Sequence, residues 1–303
     1  MINRAEVQRL KEDMCEIGRR IWQRGFCAGN EGNHSVRISE DRFLCTPTGI
    51  SKGFLDPEDI CVVDASGEQC EANRRGRKRT SEVLVHLAIY KKRPDVGAVI
   101  HSHPAHAVAF CLAGMPLPEG IHPEAEVFLG KVPIAAYATP GTPALSESIL
   151  PLIGPETNTI LMGNHGSVSC GDDLTQAYYR LEILDNYCRQ LILARQLGQV
   201  NQLNNQQIQE LLKVKESFGF PDSRLQCAAQ GCVGAENQPF LAAFEVNPAS
   251  AQCDCNGHVA QRQPVPAQSQ AQPREQPSGN GQGGEDFDRL VQAITDQIMA
   301  SMK

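Results

Sequence analysis

Residues 96–104 read VGAVIHSHP, an apolar run that ends in two histidines and a proline. The run has the length and the composition of a buried β-strand. His101 and His103 are two positions apart, and because side chains alternate between the faces of a strand, both imidazoles are expected on the same side. Two imidazoles in this arrangement can chelate one metal ion, although histidines held by ordinary hydrogen bonds show the same spacing.

A third imidazole comes from a separate part of the chain. His165 lies in the segment GNHG at 163–166, between two strand-like runs. Three protein ligands with one open coordination position are typical of catalytic zinc. Glu82 stands at the beginning of a helix-like segment, where a solvated carboxylate usually stabilises the helix N-terminus. The alternative interpretation is an acid/base group beside the metal.

Helix-like and strand-like patterns alternate outward from these segments, from about residue 4 to residue 218. The helical period appears at 4–24, 80–91, 173–197 and 205–218, and strand-like runs occur at 34–38, 59–63, 96–100, 159–161 and 167–169. Alternation at this spacing predicts one compact α/β body.

The composition of the 303 residues restricts the class of protein. The net charge of -7 argues against a nucleic-acid-binding protein, because phosphate backbones require an excess of lysine and arginine. No apolar run is long enough for a membrane span and the first residues lack a secretion signal, so we expect a cytoplasmic protein. The 12 cysteines are expected to stay reduced.

The composition changes after residue 221. We predict a catalytic domain over 1–221, a cysteine-containing extension over 222–258, a disordered linker rich in glutamine, proline and glycine over 259–284, and an amphipathic helix over 285–303. The helix carries its apolar residues on one face: Phe287, Leu290, Val291, Ile294, Ile298 and Met302. It is too short to be stable alone, so we expect it to dock onto another protein; folding back onto its own domain and pairing with copies of itself are the alternatives.

Four cysteines of the extension form a separate pattern: Cys227, Cys232, Cys253 and Cys255. Their spacing differs from the C-x2-C pairs of a standard zinc ribbon. Two interpretations stay open, a second metal or redox site and reduced thiols without a role.

Six short segments follow one another along the chain. They are GNHSVR at 32–37, TPTG at 46–49, TSE at 80–82, HSHPAH at 101–106, YAT at 137–139 and NHG at 164–166. This ordered set closely resembles the class II aldolase/adducin family, most of all its fuculose-phosphate aldolase branch, over residues 4–219. The resemblance implies a single α/β domain with a central, mostly antiparallel β-sheet flanked by helices, usually assembled as a homotetramer.

The resemblance also implies roles for these segments. His101, His103 and His165 would bind one Zn²⁺ per subunit, and Glu82 would bind the resting metal, leave when substrate arrives and then act as the acid/base. The implied phosphate-binding residues are Asn33, Thr48, Gly49, Thr80 and Ser81. The implied reaction of this metal-dependent aldehyde-lyase is cleavage of a deoxyketose 1-phosphate, such as L-fuculose or L-rhamnulose 1-phosphate, to dihydroxyacetone phosphate and L-lactaldehyde.

Other activities of the family stay open. They are a sugar-phosphate 4-epimerase, a dehydratase, and an adducin-like binding or scaffold protein without catalysis. Glu82 argues against the epimerases, which carry aspartate there, and the presence of all three histidines argues against an adducin-like protein.

Three positions depart from the aldolase pattern. Pro123 stands where the aldolases have a tyrosine proposed to protonate the aldehyde oxygen, Pro140 stands where they have an aromatic residue, and Phe218 replaces a tyrosine. All three belong to the aldehyde half of the implied site, so the aldehyde and the second proton donor stay open. The candidate donors are Glu124, Glu126, His106 and Tyr137.

The linker and the terminal helix resemble the encapsulation peptides that load enzymes into bacterial microcompartments. This resemblance implies shell proteins or other cargo proteins as partners and the microcompartment lumen as the location. An aldolase that releases lactaldehyde, a volatile and reactive product, suits such a compartment.

Overall fold

Seven strands form one sheet in the part of the chain that the computed structural model describes, which comprises residues 3–198, 200–220, 222–226 and 237–242. The strands are β1 (Asn33–Arg37), β2 (Arg42–Cys45), β3 (Cys61–Asp64), β4 (Ala98–Ser102), β5 (Ile134–Ala135), β6 (Thr159–Met162) and β7 (Gly166–Gly171). Their order is β3-β2-β1-β4-β7-β6-β5, and every neighbouring pair except β5 and β6 is antiparallel. The expected α/β fold with a mostly antiparallel sheet is therefore confirmed.

Helices cover the sheet on both faces. They are α1 (Arg4–Gln23), α2 (Val83–Lys92), α3 (Ala105–Ala113), α4 (Pro143–Ile149), α5 (Leu174–Leu197), α6 (Asn205–Ser217) and α7 (Gln238–Leu241). Within β4, Val99 packs with apolar residues of α2 and α4, whereas Ala98 and Ile100 pack with residues of α1 and α5. All five residues of β4 are buried, which explains why its sequence is continuously apolar before the histidines.

Some element boundaries differ from the prediction. α2 begins at Val83 rather than at residue 80, because residues 80–82 form a turn in which Val83 N–H donates to Thr80 O at 3.5 Å. The sequence does not predict β2, β5 and α4, which have 4, 2 and 7 residues and are too short to show a period. α3 is also missed, because it is apolar on nearly all sides.

Several predicted features lie outside the described residues. They are the linker over 259–284, the amphipathic helix over 285–303, and Cys227, Cys232, Cys253 and Cys255. The eight cysteines inside the described ranges are free thiols, and all of them except Cys70 are buried. Among the helices described, none combines the length and the apolar character that crossing a membrane requires.

A group of charged residues joins the segment after α6 to the body. Lys215 Nζ lies 2.7 Å from Asp222 Oδ2. The Arg224 guanidinium forms three further ion pairs, at 2.6 Å with Asp222, at 2.6 Å with Glu119 and at 2.9 Å with Glu126. Burial raises the pKa of the Asp222 carboxyl, but hydrogen bonds from Arg224 and Lys215 outweigh this and lower the pKa to about 2. Residues 222–226 are thereby held on the body.

Asp222→Asn is expected to reduce the free energy of unfolding at pH 7 by at least about 2 kcal/mol, because the carboxyl pKa falls from 3.8 to about 2 on folding. A pKa that folding lowers contributes stability above the unfolded-state pKa, and the contribution is lost as the pH falls from about 4 towards 2. Urea denaturation should therefore show a difference between wild type and variant that shrinks in acid. A difference in the free energy of unfolding that is as large in acid as at pH 7 contradicts this role. Asp13→Asn, on the exposed surface of α1, is the control.

Candidate metal centre

Three histidines converge at one end of the central strands. His101 belongs to β4, and His103 follows that strand, where its backbone N–H donates to Phe26 O at 2.8 Å. His165 lies in the turn between β6 and β7, and β7 pairs with β4. The ligand atoms of the three side chains all lie within 4.8 Å of one another. The structure therefore brings together the histidines that the sequence singles out.

The positions of the nitrogen atoms fit a tetrahedral cation site. His101 Nε2 and His103 Nε2 are 3.0 Å apart, and oxygens of Glu82 lie 3.4 Å from His101 Nε2 and 3.9 Å from His165 Nε2. Ligand atoms of a tetrahedral zinc ion are about 3.3 Å apart, given bonds of roughly 2.0–2.1 Å. His101 Nδ1 lies 2.9 Å from Ser167 O and must be the donor, since a carbonyl only accepts. Its Nε2 is therefore unprotonated and available as a ligand.

Two of the imidazoles, those of His101 and His165, are held in the neutral form that binds metal. Burial lowers the pKa of His101 well below its usual 6.5, and the neighbouring His103 and His165 lower it further. Burial also lowers the pKa of His165, with a further contribution from His103. At neutral pH each of these two rings therefore has one unprotonated nitrogen, whose lone pair can bind a metal.

Glu82 faces the histidines although it occupies the N-cap position of α2. Its side chain makes no capping hydrogen bond; instead, Oε2 accepts a hydrogen bond from Asn33 Nδ2 at 2.8 Å. Asn33 begins β1 and is paired in register with His101. The Glu82 side chain is only 12% exposed. The local expectation of a solvated capping carboxylate is therefore wrong.

Sequence reasoning misses a second carboxylate, Glu31. Its Oε2 lies 3.2 Å from His103 Nδ1, and its Oε1 accepts a hydrogen bond from Ala28 N–H at 2.7 Å. A carboxylate behind a metal-binding imidazole orients the ring and raises its basicity. Glu31 stands in a loop between two glycines, where neither spacing nor periodicity marks it, so the sequence offers no signal for this contact.

The turn that carries His165 needs special backbone geometry. Among the described residues other than glycine, Asn164 alone has a positive φ, 56°, which asparagine tolerates better than most side chains. Gly166 has no room for a side chain, because a Cβ there would lie 2.6 Å from His103 Cδ2 and 2.7 Å from Ser102 O. The segment GNHG thus allows His165 to approach the other two histidines.

The residues expected to bind phosphate lie in adjoining turns and on β1. Residues 46–49 run beside 78–81, and Thr48 N–H donates to Lys78 O at 3.0 Å. These two turns carry four of the expected residues: Thr48, Gly49, Thr80 and Ser81. The fifth, Asn33, begins β1, the strand between β2 and β4.

The four candidate proton donors have different surroundings. Glu126 is buried and paired with Arg224, so it is committed to the ion-pair group described above. His106 Nδ1 lies 2.9 Å from Asp185 Oδ2. Glu124 and Tyr137 are exposed to solvent.

The fold places the chain among the class II aldolase/adducin proteins. A family model described as Class II Aldolase and Adducin N-terminal domain matches residues 12–192, more than half of the chain. The chain belongs to this family, and the prediction from the six ordered segments is confirmed.

Individual relatives within the family carry different activities. The chain is 33% identical over 190 residues to the 3-oxo-tetronate 4-phosphate decarboxylase of Escherichia coli K12, a match that covers 61% of this chain and 87% of the relative. It is 32% identical over 179 residues to the L-fuculose phosphate aldolase of Methanococcus maripaludis strain C5, covering 59% of this chain and 93% of the relative. A solved structure of an L-fuculose 1-phosphate aldolase is similar with a TM-score of 0.63 and 27% identity, over 70% of this chain and 97% of its own.

Proposed function

We propose that this chain is a zinc-dependent aldolase that cleaves a deoxyketose 1-phosphate, such as L-fuculose or L-rhamnulose 1-phosphate, to dihydroxyacetone phosphate and L-lactaldehyde. The proposal depends on the convergence of His101, His103, His165 and Glu82, with separations of 3.0, 3.4 and 3.9 Å between their ligand atoms. Membership of the family and the similarity to L-fuculose phosphate aldolases support it.

The set of donors suits zinc. Three imidazole nitrogens and a carboxylate oxygen are ligands that zinc takes in tetrahedral geometry, whereas calcium and magnesium prefer sites made of oxygen alone. A zinc ion held by these residues would supply a Lewis acid to polarise the substrate carbonyl beside the bond to be broken.

Glu82 is the residue placed to move the proton at the carbon next to that carbonyl. Its carboxylate is held by Asn33 Nδ2 at 2.8 Å, and Asn33 is also an expected phosphate ligand. The Asn33 amide has two N–H donors, so one can hold the Glu82 carboxylate while the other meets the substrate phosphate. Asn33 thus links the phosphate half of the proposed site to the base.

Pro123 favours a second candidate, the decarboxylation of a phosphorylated 3-oxo acid. Carbon dioxide leaves without a proton, so a decarboxylase does not need the donor that a tyrosine supplies in the aldolases and that proline lacks. The relative from Escherichia coli K12 is named for such a reaction. Both reactions place negative charge on the carbon next to the carbonyl, so the same histidines and Glu82 serve either one.

One substrate panel distinguishes these functions. The full-length protein is incubated with L-fuculose 1-phosphate, with L-rhamnulose 1-phosphate and with a 3-oxo-tetronate 4-phosphate, each with and without a chelator. Dihydroxyacetone phosphate with lactaldehyde supports the aldolase, and the same product with carbon dioxide supports the decarboxylase. An epimerised or dehydrated product identifies the other enzymes of the family. Zinc binding without any turnover favours an adducin-like scaffold and contradicts both proposals.

We further propose that the protein is a homotetramer and travels as cargo into a bacterial microcompartment, recruited by residues 285–303. The single apolar face of this segment and its position after a polar, proline-rich and glycine-rich linker support recruitment by shell or cargo proteins. Retention of a volatile aldehyde is the chemical benefit.

Deleting residues 285–303 is expected to abolish co-purification with shells while leaving the zinc content and the activity unchanged. Leu290→Glu, on the apolar face, should have the same effect on recruitment, because docking by an apolar face does not tolerate a charge at its centre. Gln292→Glu adds the same charge on the polar face and is the matched control. Unchanged co-purification of the truncated protein refutes recruitment by this segment.

A further inference from the structure

Two polar stripes face each other across the contact between β1 and α2. On β1, Asn33, Ser35 and Arg37 point to one side, because alternate residues of a strand share a face. On α2 and its N-cap, Glu82, His86 and Tyr90 are four residues apart and share a helix face. Two residues of a strand advance about 6.6 Å and four residues of a helix about 6.0 Å, so the stripes can pair step by step.

The two stripes do pair. Asn33 Nδ2 lies 2.8 Å from Glu82 Oε2, Ser35 Oγ lies 2.7 Å from His86 Nδ1 and 2.8 Å from Tyr90 Oη, and Arg37 donates to Tyr90 O at 2.8 Å. These six residues are called the β1–α2 ladder below. Its central members are fully or almost fully buried: Ser35 and His86 at 0% exposure and Tyr90 at 1%.

The ladder ends at the proposed metal centre. Glu82 is its last member, and the Glu82 side chain makes no capping hydrogen bond at the helix N-terminus. Its carboxylate is therefore positioned by Asn33 and by the place of the first helical turn on β1. The hydrogen bond between Ser35 and His86, four residues after Glu82, anchors that turn on β1.

Ser35 is the residue on which the middle of the ladder depends. A serine hydroxyl has one hydrogen and accepts through its oxygen, so it can link His86 and Tyr90 in either direction of proton order. Removing this hydroxyl breaks both hydrogen bonds at once and leaves two buried polar groups unpaired. The first turn of α2 then loses its polar contact with β1 next to Glu82.

We propose that Ser35, His86 and Tyr90 are positioning residues, which hold the Glu82 carboxylate 3.4 Å from His101 Nε2 and 3.9 Å from His165 Nε2, where it would reach a metal held by the three histidines. This inference deepens the proposed function and rests on its metal site. The three residues act through Glu82 and do not touch the substrate.

A double-mutant cycle on zinc affinity tests the proposal. Ser35→Ala is expected to weaken Zn²⁺ binding, measured by competition with a chromogenic chelator, by about fivefold or more. The effect should be smaller than the ~10–100-fold that loss of a direct partner of a metal ligand costs, because Ser35 acts through His86 and the first turn of α2. In a Glu82→Ala background the same substitution should change the affinity less than about twofold, because the residue it positions is gone. A general loss of structure would weaken binding in both backgrounds. Equal effects in both, or no effect in either, overturn the proposal.

Ser169→Ala is the matched control. Ser169 is a fully buried serine of β7 in the same sheet, and its hydroxyl has no partner among the described residues. Its removal should leave the zinc affinity within about twofold of wild type. A loss as large as that of Ser35→Ala overturns the specific role of the ladder.

Metal-free crystals separate this proposal from the proposed function. Glu82 should remain bonded to Asn33 in the wild type and move by about 1 Å or more in Ser35→Ala. An unmoved carboxylate overturns the ladder even in an active aldolase. A protein that binds zinc but cleaves no substrate overturns the proposed function and leaves the ladder intact.

Discussion

His101→Ala is expected to purify as a folded protein that retains almost no zinc after dialysis and has no chelator-sensitive activity. His101 is the most buried of the three histidines, and its Nε2 lies 3.0 Å from His103 Nε2 and 3.4 Å from Glu82 Oε2. Losing a direct ligand should cost more than the ~10–100-fold in affinity that loss of an outer partner costs. Zinc per chain, measured by elemental analysis, is the test, with circular dichroism to confirm the fold.

The thiols outside the described residues provide the control for that experiment. Cys227→Ser with Cys232→Ser should leave the chelator-sensitive activity unchanged, because the proposed catalytic metal is held by the histidines. If His101→Ala keeps a full equivalent of zinc while the cysteine variant loses it, the metal belongs to the extension and the catalytic proposal fails.

Glu82→Gln is expected to lower kcat by about 10²–10⁴-fold, the usual contribution of a general acid/base. The amide cannot accept the proton, yet it can still pair with Asn33 and occupies nearly the same space, so the fold and the substrate phosphate site should persist. KM is therefore expected to change much less than kcat. Steady-state kinetics on the substrate identified by the panel provides the measurement.

Glu147→Gln removes an exposed carboxylate from α4 and serves as the matched substitution, with kcat expected to equal that of the wild type. A Glu82→Gln enzyme that keeps more than about a tenth of wild-type kcat shows that the proton passes through another group. His106, held by Asp185 at 2.9 Å, is then the next residue to replace.

The sequence predicts much of the fold, namely those helices and strands that are long or deeply buried. The apolar run at 96–100 predicts the central strand β4, because a strand covered on both faces has no polar alternation. β2 and β5 are not predicted, because strands this short form only by pairing with a neighbouring strand. The local composition of a segment does not indicate such pairing.

The site is legible only in part. The spacing of His101 and His103 predicts that both side chains face one metal site. The resemblance of the six ordered segments to the family adds His165 and Glu82 to that site. The contacts that orient these groups cannot be read in the same way: Glu31 reaches His103 from a loop, and the bond from Asn33 to Glu82 joins a strand to a helix 49 residues away. Such contacts follow from tertiary packing rather than from any local period.

The long interval between β4 and β7 along the chain has a consequence during synthesis. His101 leaves the ribosome well before His165, and the two meet only after β7 has emerged and paired with β4. The apolar clusters that hold these strands lie on both sides of β4 and can form without an ion. The proposed set of three imidazoles is therefore complete only late in synthesis, and we expect protein made without zinc to fold first and to bind the ion when it is supplied afterwards.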